Sequence, residues 1–439
     1  MKAPRRISAY SRGLSVVGLA ALGYLAGAAV IFFGLPSSDF LERAFIGARA
    51  WGERQNFQPP TEVQPYFGAS EFAGPTVDDR ARTFDGFTLY ACADNEGEGV
   101  EAFLIDMRGE LVHQWSVPKW QIRLYQPALN AEAAPVHNFK PSFFGCRLEP
   151  NGDLFVVLHG GAPVGGYGLL KLDKDSDVLW EYPFPVHHDI DVGPDGTLYA
   201  IRGELLAEMP PELEHIATPC QGDQVVLLLP DGKPLREPIS VLEAIRKSPY
   251  ALLLSRLGNQ RETRAMELLH TNSIQVLRPE LAGKFPAFKA GQVLISMRHL
   301  DAIAVLDVET GSVVWAATGP WRAQHDPHFL DNGHLLIFDN RGGQGGSRVL
   351  EYDPQTQAFP WSYPGADCRT FYSSERGMSQ RLPNGNTLIV NSEGAEIMEI
   401  SPGQEVVWSF SHPAGSFITT GRRYSANELP FLGDRSPRP

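Results

Sequence analysis

The stretch "AQHDPHFLDNGHLLIFDN", residues 323–340, carries three histidines and three aspartates in eighteen positions. Its second half reads as a hairpin entering a buried strand: the turn Asp331-Asn332-Gly333, then the apolar run Leu335-Leu336-Ile337-Phe338. Asn-Gly supplies the backbone freedom that a tight turn needs. The same element recurs as "DGFTLYA" at 85, "PNGDLFVV" at 150, "PDGTLYAI" at 194, "AGQVLISM" at 290 and "PNGNTLIV" at 383. Between its copies runs a second element, a polar turn leading to a strand that often ends in Trp: "IDMRGELVHQW" at 105, "LDKDSDVLW" at 172, "LPDGKPL" at 229, "LDVETGSVVW" at 306, "YDPQTQAFPW" at 352 and "ISPGQEVVW" at 400. Six alternations of this kind predict an all-β chain in which residues 81–430 form a six-bladed β-propeller. The longer interval between the third and fourth repeats holds "ISVLEAIRKSPYALLLSRL" (239–257), which reads as a helical insertion.

Composition agrees with a globular fold: 439 residues, 43% hydrophobic and 20% charged. A net charge of −13, with no basic run beyond the N-terminus, argues against a nucleic-acid partner. Cys92, Cys146, Cys220 and Cys368 are far apart and form no CxxC, which excludes a zinc ribbon and leaves one or two disulfides, or none.

Lys2, Arg5, Arg6 and Arg12 precede the uncharged run 14–34, "LSVVGLAALGYLAGAAVIFFG". A helix of that length spans a bilayer core, and the basic flank stays cytoplasmic. Residues 1–35 are therefore expected to be an inner-membrane signal anchor with the propeller on the periplasmic side. The rival is a signal peptide cleaved after Ala26-Gly27-Ala28, but the apolar run continues through Val30-Ile31-Phe32-Phe33. Gly23 and Gly27 form a GxxxG spacing that reads as part of a Gly/Ala-rich span rather than a dimer face. Residues 36–80 read as a short helix followed by a Pro-rich linker.

Aligned on the turn glycine, His188 lies eight residues before Gly196 and His325 eight before Gly333. Repeats stack with one geometry, and the innermost strand of each blade lines the central channel. The motifs "HHDIDVGPDG" and "HDPHFLDNG" therefore aim imidazoles at a common centre. "LLHTNSIQVL" (268–277) adds His270 and Asn272, read as a loop before the fourth inner strand. "ISMRHL" adds Arg298, and "RGMSQRLPNG" adds Arg376 and Ser379. His113, His159, His215, His334 and His412 lack the spacing and read as structural; His299 and His328 stay open, as supports of the site or as bystanders.

Together, "QHDPHFLDNGHLLIFDN", "HHDI" and "HTNSI…LISMRH" resemble the bacterial arylsulfotransferase family over about residues 85–410. The resemblance implies a six-bladed periplasmic propeller that moves a sulfuryl group from one phenol to another without a nucleotide sulfate donor. It implies that His325 becomes transiently sulfated, with His188, His270 and Arg298 as the other catalytic residues. Asn272, His187 and Ser379 are expected to bind substrate, Ser379 standing where the family carries a threonine. The small N-terminal β-sandwich of well-studied members has no room in residues 36–80.

The chemistry implied is attack by neutral His325 on the sulfur of an aryl sulfate, splitting one displacement into two. Asp326 either orients that ring or caps the local turn. Arg298, His188 and His270 would meet the charge of the transition state, and one histidine would supply a proton to the departing phenoxide. This route requires no cofactor and no metal; its partners are an aryl sulfate donor and a phenolic acceptor. Two other classes stay open: a metal-binding propeller enzyme with axial histidines, Asp189 or Asp326 lying near the ion, and a non-catalytic membrane-tethered scaffold.

Overall fold

The computed structural model describes residues 75–93, 99–118, 142–159, 166–257, 267–343, 346–364, 370–412 and 417–433. The run 14–34, the helix expected from residue 36 and Cys368 lie outside them; among the described residues no helix is long and apolar enough to cross a membrane.

Six antiparallel sheets follow one another along the chain. A first strand, β1 (Pro75–Asp78), precedes blade 1, which holds β2 (Phe87–Ala93), β3 (Gly99–Ile105) and β4 (Leu111–Pro118). Blade 2 is β5 (Ser142–Leu148), β6 (Leu154–His159), β7 (Gly168–Leu172) and β8 (Val178–Tyr182). Blade 3 is β9 (Val186–Val192), β10 (Leu198–Leu206), β11 (Cys220–Leu228) and β12 (Ile239–Ser240). Blade 4 is β13 (Thr271–Val276), β14 (Val293–Met297), β15 (Ala302–Asp307) and β16 (Ser312–Thr318). Blade 5 is β17 (His325–Phe329), β18 (Leu335–Gly343), β19 (Gly346–Tyr352) and β20 (Trp361–Tyr363). Blade 6 is β21 (Met378–Arg381), β22 (Thr387–Asn391), β23 (Glu396–Ile400) and β24 (Val406–Ser411), and the last strand, β25 (Phe417–Tyr424), returns to blade 1 as its innermost member.

The ring closes twice. β25 pairs with β2 on the inside, and β1 pairs with β24 on the outside of blade 6. At this seam Arg423 and Glu399 form a fully buried ion pair at 3.1 Å. The Arg423 guanidinium also donates to Thr88 Oγ1 at 2.8 Å and lies 4.7 Å from the Trp408 ring centroid.

Each element of the repeat has a structural reason. The turn glycines, such as Gly196 (φ +81°) and Gly333 (φ +88°), sit in the left-handed region open to glycine. The Trp at the end of an outer strand reaches the next blade: Trp115 Nε1 donates to Gly152 O at 3.1 Å, Trp180 to Pro230 O at 3.1 Å, and Trp408 to Met107 O at 2.9 Å. Alternating apolar residues face neighbouring sheets, so the core divides into one cluster per interface between blades; Val157 and Leu169 of blade 2, for example, pack on Ile190 and Leu198 of blade 3.

The inner strands pack side by side without a shared ladder, and side chains satisfy their backbone groups instead. Phe329 N donates to Gln275 Oε1 at 2.7 Å, Val276 N to Asp191 Oδ2 at 3.0 Å, and Arg423 N to Gln380 Oε1 at 2.8 Å.

Three readings of the sequence change. The expected linker 36–80 contains β1, an edge strand visible only once β24 is there to pair with it. The stretch 271–276 is the fourth inner strand itself, not a loop before it. The insert 239–257 begins as the outer strand of blade 3 and then forms a short α-helix, Val241–Arg246, and a 3-10 helix, Ala251–Arg256.

Candidate active site

In every blade, take the inner-strand residue paired two positions after the turn glycine: Leu148, Val192, Val276, Phe329, Arg381 and Arg423. Four residues before it stand Phe144, His188, Asn272, His325, Gly377 and Thr419. All six line one axial pocket, open to solvent. The spacing that equates His188 with His325 is thus the geometry of the ring, and Asn272, not His270, is their counterpart in blade 4.

In five of the six inner strands the register slips at this level, leaving Phe144-Gly145, His188-Asp189, Asn272, Asp326-Pro327 and Thr419 out of the ladder. A β-bulge bends its strand and re-aims a side chain. His188 (φ +60°) and Asp326 (φ +52°) adopt left-handed backbone at the bulge, a conformation that costs a residue with a Cβ about 1–3 kcal/mol and collects at functional sites.

Each residue of "QHD" has its own task. Gln324 is fully buried; its amide donates to Ala302 O at 2.8 Å and Ser296 Oγ at 3.0 Å, tying the strand start to blade 4. His325 lines the pocket, and its Nδ1 donates to Asn340 Oδ1 at 2.8 Å and Ala323 O at 3.0 Å. Asn340 is itself fixed, its amide donating to Ser373 O and Arg376 O, both at 2.7 Å. With two acceptors on Nδ1 the proton resides there, and Nε2 carries the lone pair. Asp326 neither orients that ring nor caps a local turn. It accepts from Ser379 N of blade 6 at 2.8 Å and pairs with His328 Nε2 at 2.9 Å. "HHD" repeats the plan: His188 lines the pocket, and Asp189 accepts from Ile274 N of blade 4 at 3.3 Å and pairs with Arg147 at 3.1 Å.

Burial, with the nearby Arg298 charge, pushes His325 down to about 3 against hydrogen bonds that act the other way. Burial and the neighbouring His270 and His159 hold His188 well below the ordinary imidazole value. Both rings are neutral at pH 7. His270 lies 4.8 Å from the His188 ring and 5.0 Å from the His299 ring, and its Nδ1 pairs with Glu267. Burial would raise Glu267, but the His270 hydrogen bond and the surrounding imidazoles outweigh it and bring it to about 2. His299 supports this group: its Nδ1 reaches Glu267 O at 3.1 Å, and burial pushes the ring down to about 4.

Of the residues expected from sequence, His325, His188 and Asn272 line the pocket. His270 stands behind His188, and Arg298 acts on His325 through its charge. His187 is behind His188, its Nδ1 2.8 Å from that of its neighbour. Ser379 contributes its backbone N–H to Asp326 and is not among the pocket-lining residues; Thr419 lines the pocket, its hydroxyl donating to Phe143 O. Arg376 lines the pocket with its guanidinium between the Phe144 and Phe417 rings, at 5.3 and 5.1 Å. His159, read as structural, lies against the site, 4.4 Å from Phe144 and 4.9 Å from His188. Asn340, Glu267 and Asp223 come from other strands and a loop, and no local spacing announces them. Among the described residues, no three His, Cys, Asp or Glu side chains converge to hold a metal ion.

Solved structures resemble the chain at low identity. A protein of unknown function from Bacteroides caccae is 14% identical, with a TM-score of 0.49 over 77% of this chain and 98% of that one. A catalytically inactive virginiamycin B lyase from Staphylococcus aureus, solved with quinupristin, is 10% identical, with a TM-score of 0.37 over 64% and 74%. Neither likeness carries an argument about chemistry. No curated protein matches the chain. The family model described as Arylsulfotransferase (ASST) matches residues 148–413, which hold four complete inner strands, among them those bearing His188, Asn272 and His325. The chain belongs to the arylsulfotransferase family.

Proposed function

We propose that this protein moves a sulfuryl group from an aryl sulfate to a phenol through a sulfohistidine at His325, without a nucleotide donor. The observation that carries the reading is the double anchoring of His325 Nδ1 by Asn340 Oδ1 and Ala323 O, which leaves Nε2 as the nucleophilic edge of a neutral ring in the pocket. Nε2 attacks sulfur, the S–N bond forms as the S–O bond to the aryl group breaks, and the phenoxide departs. The ring gains positive charge as it attacks, and the two carbonyl oxygens on Nδ1–H stabilise that charge. The sulfuryl oxygens are met by Arg376, with Arg298 acting from further off. An acceptor phenol then loses its proton to His188 and attacks sulfur, returning His325 to the neutral state. Phe144 and Met378 offer apolar surface for the aryl ring.

The test is turnover of 4-nitrophenyl sulfate with a panel of phenols and no nucleotide. Acceptor-dependent release of 4-nitrophenol supports the reading, and its absence with every phenol counts against it. From the uncharged run 14–34 and its basic flank we further propose that the propeller is anchored to the inner membrane and faces the periplasm. Protease added to spheroplasts should cut residues 81–430, and protection until lysis would refute that placement.

A further inference from the structure

Two side chains behind the pocket have no part in the reaction as described. His187 and Asp223 are each 1% exposed, and they stand in line with His188. His187 Nδ1 is 2.8 Å from His188 Nδ1, with the rings at 84° to one another. On its other edge, His187 Nε2 is 3.4 Å from Asp223 Oδ1. The second oxygen of Asp223 accepts from Thr271 N at 2.8 Å, which holds the carboxylate at the start of β13. The other groups facing His188 are the imidazoles of His159, His270 and His325.

The charge of Asp223, 3.4 Å from Nε2 but out of line for a hydrogen bond, favours the neutral His187 tautomer with its proton on Nε2. Its Nδ1 then carries a lone pair and accepts from His188 Nδ1–H. That in turn leaves His188 Nε2 as an acceptor. The charge of Asp223 thereby biases the tautomer of His187, and the 2.8 Å hydrogen bond passes that bias to His188.

We propose that Asp223 and His187 are positioning residues that fix His188 as the proton acceptor for the incoming phenol. The proposal rests on the sulfotransferase reading above. In the second half-reaction the phenol O–H bond breaks and its proton moves to His188 Nε2. The phenol oxygen bonds to sulfur as the N–S bond to His325 breaks. The charge gained by His188 is stabilised through His187 by Asp223. His188 then gives that proton up to solvent, which returns it to neutrality.

Asp223→Asn separates this role from a purely structural one. The amide keeps an oxygen for Thr271 N and turns an NH₂ toward His187 Nε2. His187 then accepts there, donates from Nδ1, and leaves His188 with a hydrogen on Nε2, so the polarity is inverted. His187→Phe is the second variant, keeping a ring but ending the line. The two half-reactions are measured apart: 4-nitrophenol release without acceptor, then discharge of the isolated sulfo-enzyme by phenol. Discharge should slow by about 10²–10⁴-fold in both variants, the usual worth of a positioned base. Release of 4-nitrophenol, a weakly basic leaving group, should fall far less. Folded variants that discharge at the wild-type rate overturn the proposal. So does equal slowing of both halves, which assigns the pair to structure alone. A wild-type enzyme that never acquires a sulfuryl group overturns the underlying reading, and that outcome is visible before any variant is made.

Discussion

Asn340→Ala tests how the fold prepares its nucleophile. The substitution removes one of the two acceptors on His325 Nδ1, leaving Ala323 O at 3.0 Å. It also removes the donor to two backbone carbonyls. Ser373 O keeps a share of the Ser347 hydroxyl, 3.0 Å away and also 2.8 Å from Asn340 O, whereas Arg376 O is left bare. One buried acceptor left bare costs about 1–3 kcal/mol of stability. The kinetic loss has a different origin. As His325 attacks, Nδ1–H becomes a donor on a cationic ring, and a hydrogen bond to a charged group is worth about 1.5–3 kcal/mol. At about 1.36 kcal/mol per tenfold, sulfation should slow by about 10- to 10²-fold. The assay is a single-turnover burst of 4-nitrophenol without acceptor, run beside thermal unfolding. A variant that melts a few degrees lower and sulfates slowly fits the argument. A folded variant that sulfates at the wild-type rate refutes the claim that Asn340 organises the nucleophile.

Other expectations follow from the same geometry. Arg376→Ala removes the one arginine lining the pocket among the described residues and should slow the burst by about 10²–10³-fold; an unchanged burst would move the oxyanion contact to Arg298. Acid should destabilise the fold early. His159, partly exposed, and His325, buried, are held at about 3 against 6.5 for a free ring. Above pH 6.5 folded and unfolded states are both neutral there. Below it the unfolded chain takes up protons that the fold refuses, so stability falls by up to about 1.4 kcal/mol per pH unit for each ring until the folded value is reached. Urea midpoints between pH 7 and 5 check this, and a flat profile contradicts it; the burst rate of folded protein should show no titration near 6.5. Arg423→Met breaks the buried pair with Glu399 at the blade 6 to blade 1 seam and should cost about 3–5 kcal/mol by denaturant unfolding. A loss below about 1 kcal/mol, the worth of an exposed pair, would show that this ion pair does not hold the ring closed.

The six blades were legible because two signals with a physical purpose recur, a turn glycine that is left-handed in five of the six repeats and, in most repeats, a Trp closing the outer strand. The equivalence of His188 and His325 was legible for the same reason, since both sit a fixed distance before such a glycine. Asn272 escaped that count because the helix Pro279–Ala282 lengthens its connection to Gly291. Thr419 escaped because β25 completes a blade whose other strands lie at the far end of the chain. Asn340, Glu267 and Asp223 are brought to the histidines by pairing and packing between strands, which no spacing along the chain encodes. Asp326 was misread because its partner, the Ser379 amide, belongs to the next blade.

The most direct test of the account is the mass of the protein after exposure to 4-nitrophenyl sulfate with no acceptor. One added sulfuryl group is expected, located by fragmentation on His325. Mild acid should remove it, because a protonated imidazole is a good leaving group, and an added phenol should discharge it. His325→Ala should gain nothing. An adduct that forms on a tyrosine, or that persists in His325→Ala, would contradict the central claim that this ring is the nucleophile.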